Sequence, residues 1–138
     1  MLSFRKVEKV DWGFILELRN EFYENFEKQK SPITLATHKK YMENQIINPN
    51  FKQWIIIENE IDIGYIRILE FDVSILIKKE FHSKGFGTNA LKLLLKQENL
   101  PEKLIGRILS KNMSSVKAFE KAGFKLKMLV FEKVLKDY

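Results

Sequence analysis

The sequence predicts an α+β fold with about six to seven strands and about four helices. Three observations carry that expectation. A β-like apolar run at 73–77 is followed closely by His82-Ser83-Lys84-Gly85-Phe86-Gly87-Thr88 and then by an amphipathic helical pattern at 89–97. Two helical patterns precede a three-strand meander instead of alternating with it. The resulting order, β-α-α-β-β-β-α-β-α-β with room for one more strand, is not that of a doubly wound sheet. The loop also lacks the G-x-x-x-x-G-K-[ST] spacing of a nucleotide hydrolase. The length, 138 residues, fits one domain over 1–138, and a 45% hydrophobic content suffices for its core.

The first strand is expected at 2–7. Asp11 is placed to cap a helix reaching about Phe26, with Trp12, Ile15, Leu16, Phe22, Tyr23 and Phe26 at helical spacing. Ser31-Pro32 breaks it. Thr34 then caps a second helix, to about Ile47, that carries Leu35, His38, Tyr41, Met42 and Ile46 along one side, and Asn48-Pro49-Asn50 ends it. The meander follows as strands at 51–58, 61–69 and 72–77, with turns at Asn59-Glu60 and Glu70-Phe71. In the middle strand, alternation puts Ile61, Ile63, Tyr65 and Arg67 on one side. Leu91, Leu94 and Leu95 form the apolar stripe of the third helix. Asn99-Leu100-Pro101 leads to a strand at 104–109, a short helix at 114–122 closes at Gly123, and 124–135 reads as one or two strands. No repeat, linker or low-complexity segment interrupts the chain.

Composition narrows function. There is no cysteine, so disulfides and thiolate metal sites are excluded, and His38 and His82 have no carboxylate at ligand spacing, so no metal is expected. No stretch approaches the ~20 apolar residues of a membrane helix. The N-terminal residues lack an apolar signal core, which leads us to expect a cytoplasmic protein with no membrane partner. The net charge of +6 is dispersed, without an Arg-rich helix or aromatic-basic motif; this argues against nucleic acid and fits an anionic small ligand. The loop at 82–88 supplies the place. A glycine-containing turn between strand and helix aims backbone N–H groups and the positive end of the helix at one spot, the usual geometry for binding phosphate.

Two motifs occur in order, about 25 residues apart: His82-x-x-Gly85-x-Gly87, and Asn112-x-x-Ser115-x-x-x-Phe119-x-Lys121-x-Gly123-Phe124. The first resembles the Q/R-x-x-G-x-G/A loop of the GNAT superfamily of acetyl-CoA-dependent N-acetyltransferases, and the second its N-x-x-S-x-x-x-[YF]-x-K-x-G-F segment. The resemblance spans essentially the whole chain. It implies a mixed central sheet that splays between the strands at 72–77 and 104–109. It also implies that acetyl-CoA is the co-substrate, with its pyrophosphate on Ser83, Lys84, Gly85, Phe86, Gly87 and Thr88. The pantetheine arm would lie along Ile75, Leu76 and Ile77, near Asn112, Ser115 and Phe119. A backbone N–H near Leu76 or Ile77 would polarise the thioester carbonyl.

The chain departs from the pattern twice. His82 replaces Gln or Arg and gives up a permanent charge, so weaker cofactor binding is expected. Phe119 stands where many members have a tyrosine that protonates the departing thiolate. A thiol of pKa near 8.5 leaves unprotonated at pH 7 for roughly 2 kcal/mol, and a water on Asn112 or Ser115 can supply the proton. For the general base, Glu70 and Asp72 rank above Glu58 and Glu60, because they precede the cofactor strand.

Leu18-Arg19-Asn20, Thr34-x-x-x-His38-x-x-Tyr41 and Gly64-x-x-Arg67 resemble a subgroup that acetylates amino groups of nucleotide-linked amino sugars. The same residues are similar to enzymes acting on ribosomal-protein N-termini. The resemblance makes Arg19, Asn20, His38 and Arg67 the acceptor residues and a small-molecule amine the partner. A peptide N-terminus and a non-catalytic acyl-CoA-binding module are the alternatives. A homodimer is compatible with the family, although the termini carry no clear swap signal.

Overall fold

A computed structural model describes residues 1–26, 29 and 31–136. Turn chemistry organises its sheet. Asn59 and Glu60 both take left-handed conformations, at φ 50° and 68°, which is the backbone of a two-residue hairpin turn. They join β2 (Phe51–Glu58) to β3 (Ile61–Leu69). Glu70, at φ 57°, turns β3 into β4 (Asp72–Ile77). β1 (Leu2–Lys6) pairs with the other edge of β2, giving an antiparallel sheet in the order β1-β2-β3-β4.

The alternation along β3 is broken by a bulge. Ile56 pairs with Gly64 while Ile57 pairs with Asp62, which leaves Ile63 as an extra residue. Ile63 therefore packs with Ile66 and Ile68 on one face, and Tyr65 lies on the other. This corrects the expectation that Ile63, Tyr65 and Arg67 share a side.

Helices cover both faces. α1 (Trp12–Glu21) and α2 (Leu35–Ile46) bury Trp12, Ile15, Leu18 and Met42 against Ile55, Tyr65 and Leu76. α3 (Phe86–Leu94) and α4 (Met113–Lys121) bury Ala90, Leu91, Leu94 and Phe119 against Ile56, Ile66, Ile68 and Val73. Arg5 locks β1 to its surroundings: its guanidinium donates to the Asp11 carboxylate at 2.7 and 2.9 Å and to Asp62 at 2.9 and 3.3 Å. Asp11 does precede α1, but its carboxylate turns to Arg5 and to the Glu8 amide instead of capping the helix. Thr34 caps α2 as expected, accepting from the Thr37 amide at 3.2 Å. Among the described residues no helix is long and apolar enough to cross a membrane.

Several expected boundaries shift. α1 stops at Glu21 because Phe22 leaves the helical region (φ −114°, ψ 23°), and a 3-10 turn at Tyr23–Asn25 follows. α3 begins earlier than expected, directly after Gly85, and Leu95 falls outside its buried stripe at 45% exposed. At 104–109 only one residue makes a sheet contact, a parallel bridge between Ile105 and Asp72. Positions 124–136 form no strand. The sheet therefore has four strands among the described residues, not six to seven: beyond the single bridge at Ile105, the last two apolar segments have no ladder partner among those residues.

Candidate active site

The loop after β4 is shaped by two left-handed residues, Ser83 at φ 62° and Gly85 at φ 81°. A Cβ on Gly85 would meet no atom within 4 Å, so it is the backbone conformation that asks for glycine there. The Asn89 amide makes the first bond of α3, to the Gly85 carbonyl at 3.0 Å. The amides of Phe86, Gly87 and Thr88 ahead of it have no acceptor among the described residues and face solvent at the positive end of the helix. Lys84 is exposed beside them, its Nζ 6.0 Å from the Phe81 ring. A Cβ on Gly87 would only touch that of Ala118 at 3.8 Å, so the protein itself leaves room there. Open amides, a lysine and a bare backbone fit a pyrophosphate.

β4 has one open edge. The Val73 amide donates to the Ile105 carbonyl at 2.8 Å and the Ile105 amide to the Phe71 carbonyl at 2.7 Å; no further bond follows, so the two segments diverge. By alternation from Val73, Ile75 and Ile77 turn their backbone groups toward this splay, while those of Leu76 turn toward β3. The imidazole of His82 closes the far end. Its Nε2 lies 2.7 Å from the Ile77 carbonyl, which can only accept, so Nε2 carries the proton. The ring also stacks on Phe22 at 5.2 Å. Asn112 caps α4, its Oδ1 taking the Ser115 amide at 3.5 Å and the Ser114 hydroxyl at 3.3 Å. Phe119 is core: its ring packs edge-on against Phe124 at 4.9 Å and lies so close beneath Gly106 that a Cβ there would overlap it.

On the α1–α2 face a cavity opens among Arg19, His38, Tyr41, Tyr65, Arg67 and Ser74, and it reaches Leu76 of β4. Three of the four residues assigned to the acceptor thus come together. The fourth, Asn20, does not: its carboxamide clamps the backbone of Ile33, donating at 2.9 Å and accepting at 2.8 Å. Arg19 stacks its guanidinium over Phe26 and Tyr41, at 5.7 and 5.5 Å. Burial lowers its pKa, Arg67 adds repulsion, and Tyr41 and Tyr65 oppose both. Burial likewise pushes the Tyr65 hydroxyl well above its ordinary value, and that hydroxyl donates to Gln53 at 2.7 Å. His38 is fully buried with neither ring nitrogen hydrogen-bonded. Burial holds its pKa below the ordinary value and Arg19 lowers it further, against a weak opposing influence of the Trp12 backbone.

Asp72 is held between two guanidinium groups, Arg67 at 3.2 Å and Arg107 at 3.1 Å, so its carboxylate fastens the top of β4 to both neighbours. Glu70 is exposed in its turn. Ser74 and Arg107 escaped the sequence reading, although a serine inside the apolar run at 73–77 is a visible signal. A second depression, between α1 and the end of β4, mixes Glu17, Glu21 and Glu80 with Lys78 and Lys79.

Comparison with known proteins follows the same outline. Among solved structures, a domain from Methanocaldococcus jannaschii is similar at 27% identity, with 91% of this chain and 88% of that one covered and a TM-score of 0.78. The spermidine N-acetyltransferase of Vibrio cholerae, in complex with CoA and spermine, is similar at 20% identity over 99% and 88%, with a TM-score of 0.82. An aminoglycoside acetyltransferase in complex with coenzyme A is similar at 20% over 92% and 86%, with a TM-score of 0.74. No curated protein matches. Residues 2–125 match the acetyltransferase (GNAT) domain. With nine-tenths of its length inside that match, the chain belongs to the GNAT family and is an acetyl-CoA-dependent N-acetyltransferase.

Proposed function

We propose that the acceptor is a small amine that also carries an anionic group, with a nucleotide-linked amino sugar as the specific class. The observation that supports this is the cavity beside β4: Arg19 and Arg67 line it, and no described lining residue is a carboxylate. Asp72 offsets Arg67 in part, yet Arg107 shares that same carboxylate, so the surroundings stay positive. Guanidinium groups take phosphate or carboxylate with charge-assisted, often bidentate bonds, and a polycation entering here would meet like charge. His38 lies behind them, fully buried, its pKa held down first by burial and then by Arg19, so it adds no further charge to the cavity.

In this reading acetyl-CoA lies along the open edge of β4 with its pyrophosphate on 83–88, and supplies a thioester for direct attack by the amine. The amide of Ile77, turned into the splay, is the residue placed to stabilise the developing oxyanion. Phe119 offers no proton, so Asn112 and Ser115 at the start of α4 hold the water that supplies it. Asp72 is committed to two arginines and Glu70 is exposed, so neither is favoured as the base; an amine of pKa about 8 loses its proton to a water chain.

The reading is tested by Arg19→Gln. For an acceptor with a phosphate or carboxylate, kcat/KM should fall about ten- to a hundredfold, mostly through KM, because one charge-assisted contact is lost. A neutral amine of similar size should be affected far less. An equal loss for both removes the anion from the reading.

A further inference from the structure

Three charged side chains gather where the splay begins. Asp72 opens β4 and bridges to Ile105, after which the two segments diverge. Its carboxylate takes Arg67 on Oδ2 at 3.2 Å and Arg107 on Oδ1 at 3.1 Å. Both bonds come from Nη1, and Nη1 of Arg67 also donates to the Asp72 carbonyl at 3.2 Å. The Nε and Nη2 groups of both arginines have no hydrogen-bond partner among the described residues. Leu104 and Ile108 pack with the α3–α4 layer, and Gly106 lies over Phe119 on that same side. Arg107, at the alternate position, therefore lies on the α1–α2 face, which is the face where Arg67 and Ser74 line the cavity.

We propose that Arg67 and Arg107 form one clamp for the anionic group of the acceptor, with Asp72 as the residue that positions both. The clamp rests on the acceptor reading above and extends that site to Arg107, which stands outside the cavity wall. Two guanidinium groups brought together without a counter-charge repel. A carboxylate shared between them cancels one charge and holds them a carboxylate's width apart, while their outer N–H groups stay available. The trio keeps a net positive charge. Phosphate suits it better than carboxylate does, because its several oxygens can take bonds from two separate guanidinium groups. Positioning and plain attraction make opposite predictions for Asp72. Loss of its carboxylate would tighten a site that works by charge alone, and loosen one that needs its two arginines held in place.

The test follows thiol release from acetyl-CoA with a nucleotide-linked 4-amino sugar and, beside it, the methyl glycoside of the same amino sugar. The Arg107 side chain is 64% exposed, so Arg107→Gln leaves the core untouched. It should raise KM for the nucleotide-linked acceptor about tenfold through the loss of a charge-assisted contact, with far less effect on the glycoside. Arg107→Lys should restore part of that loss, since it returns the charge without the fork. Asp72→Ala should raise the same KM about fivefold although it makes the site more positive, with the loss falling mainly on KM and little on kcat. Tighter binding of the nucleotide-linked acceptor in Asp72→Ala would overturn the clamp. So would an unaltered KM in Arg107→Gln, or an equal loss on both acceptors, in a protein whose wild type turns over the nucleotide-linked compound. A wild type that releases no thiol with that compound would overturn the acceptor reading itself, and the clamp with it.

Discussion

His38 shows how one side chain can link site and stability. Its ring is fully buried and unpartnered, and burial followed by the repulsion of Arg19 lowers its pKa below 6.5. The unfolded chain therefore binds a proton first as pH falls, so stability is complete above about pH 6.5 and is lost progressively below it. Urea midpoints between pH 8 and pH 5 should show this decline, and His38→Asn should flatten it; parallel curves would separate His38 from the effect. Asp11 belongs to the same scale. Arg5 holds its carboxyl below the ordinary range, so Asp11→Asn should cost about 1.5–3 kcal/mol at pH 7, measured by denaturant unfolding. Residue roles were only partly legible beforehand. Arg19, His38 and Arg67, grouped beforehand only by a resemblance, line one cavity, whereas the Asn20 amide goes to the Ile33 backbone and Asp72 to two arginines. Those partners lie far along the chain or across the sheet, where local pattern carries no information.

At the scale of elements, β2, β3 and β4 occupy the spans that alternation and turn residues predict, since each boundary is marked by local chemistry at Asn59-Glu60 or Glu70. The bulge at Ile63 was not visible, because an extra residue changes which face is buried without changing which residues are apolar. It sits beside Gly64, where a Cβ would overlap the Leu76 carbonyl oxygen and crowd Ile77. Gly64→Ala should therefore push β4 outward at the residues that flank the splay and cost about 1–3 kcal/mol, with an accompanying loss of CoA affinity; unaltered unfolding and affinity would show that β4 yields freely. Gly85 is the counterpart on the loop. Gly85→Val forces a β-branched residue to φ 81° in open space, so the fold should persist while CoA affinity, read by calorimetry, drops more than about tenfold as the amides lose their alignment. Unchanged affinity would place the pyrophosphate elsewhere.

Across the whole molecule, two helix layers clamp a sheet whose last strand is left half-paired, and that opening puts the loop at 82–88, the open edge of β4 and the arginine-lined cavity along one strand. The layers were predictable from the order of elements. The strands expected at 104–109 and 124–135 were misread, because an apolar alternating pattern does not state whether a neighbouring edge receives it. The acceptor reading rests on this arrangement and is tested most directly by following thiol release from acetyl-CoA with a nucleotide-linked 4-amino sugar, beside spermidine and an N-terminal peptide at equal concentration. The account predicts release with the sugar and little with the other two. Release with spermidine and none with the sugar would contradict it, because the cavity would then have accepted a polycation against its own charge.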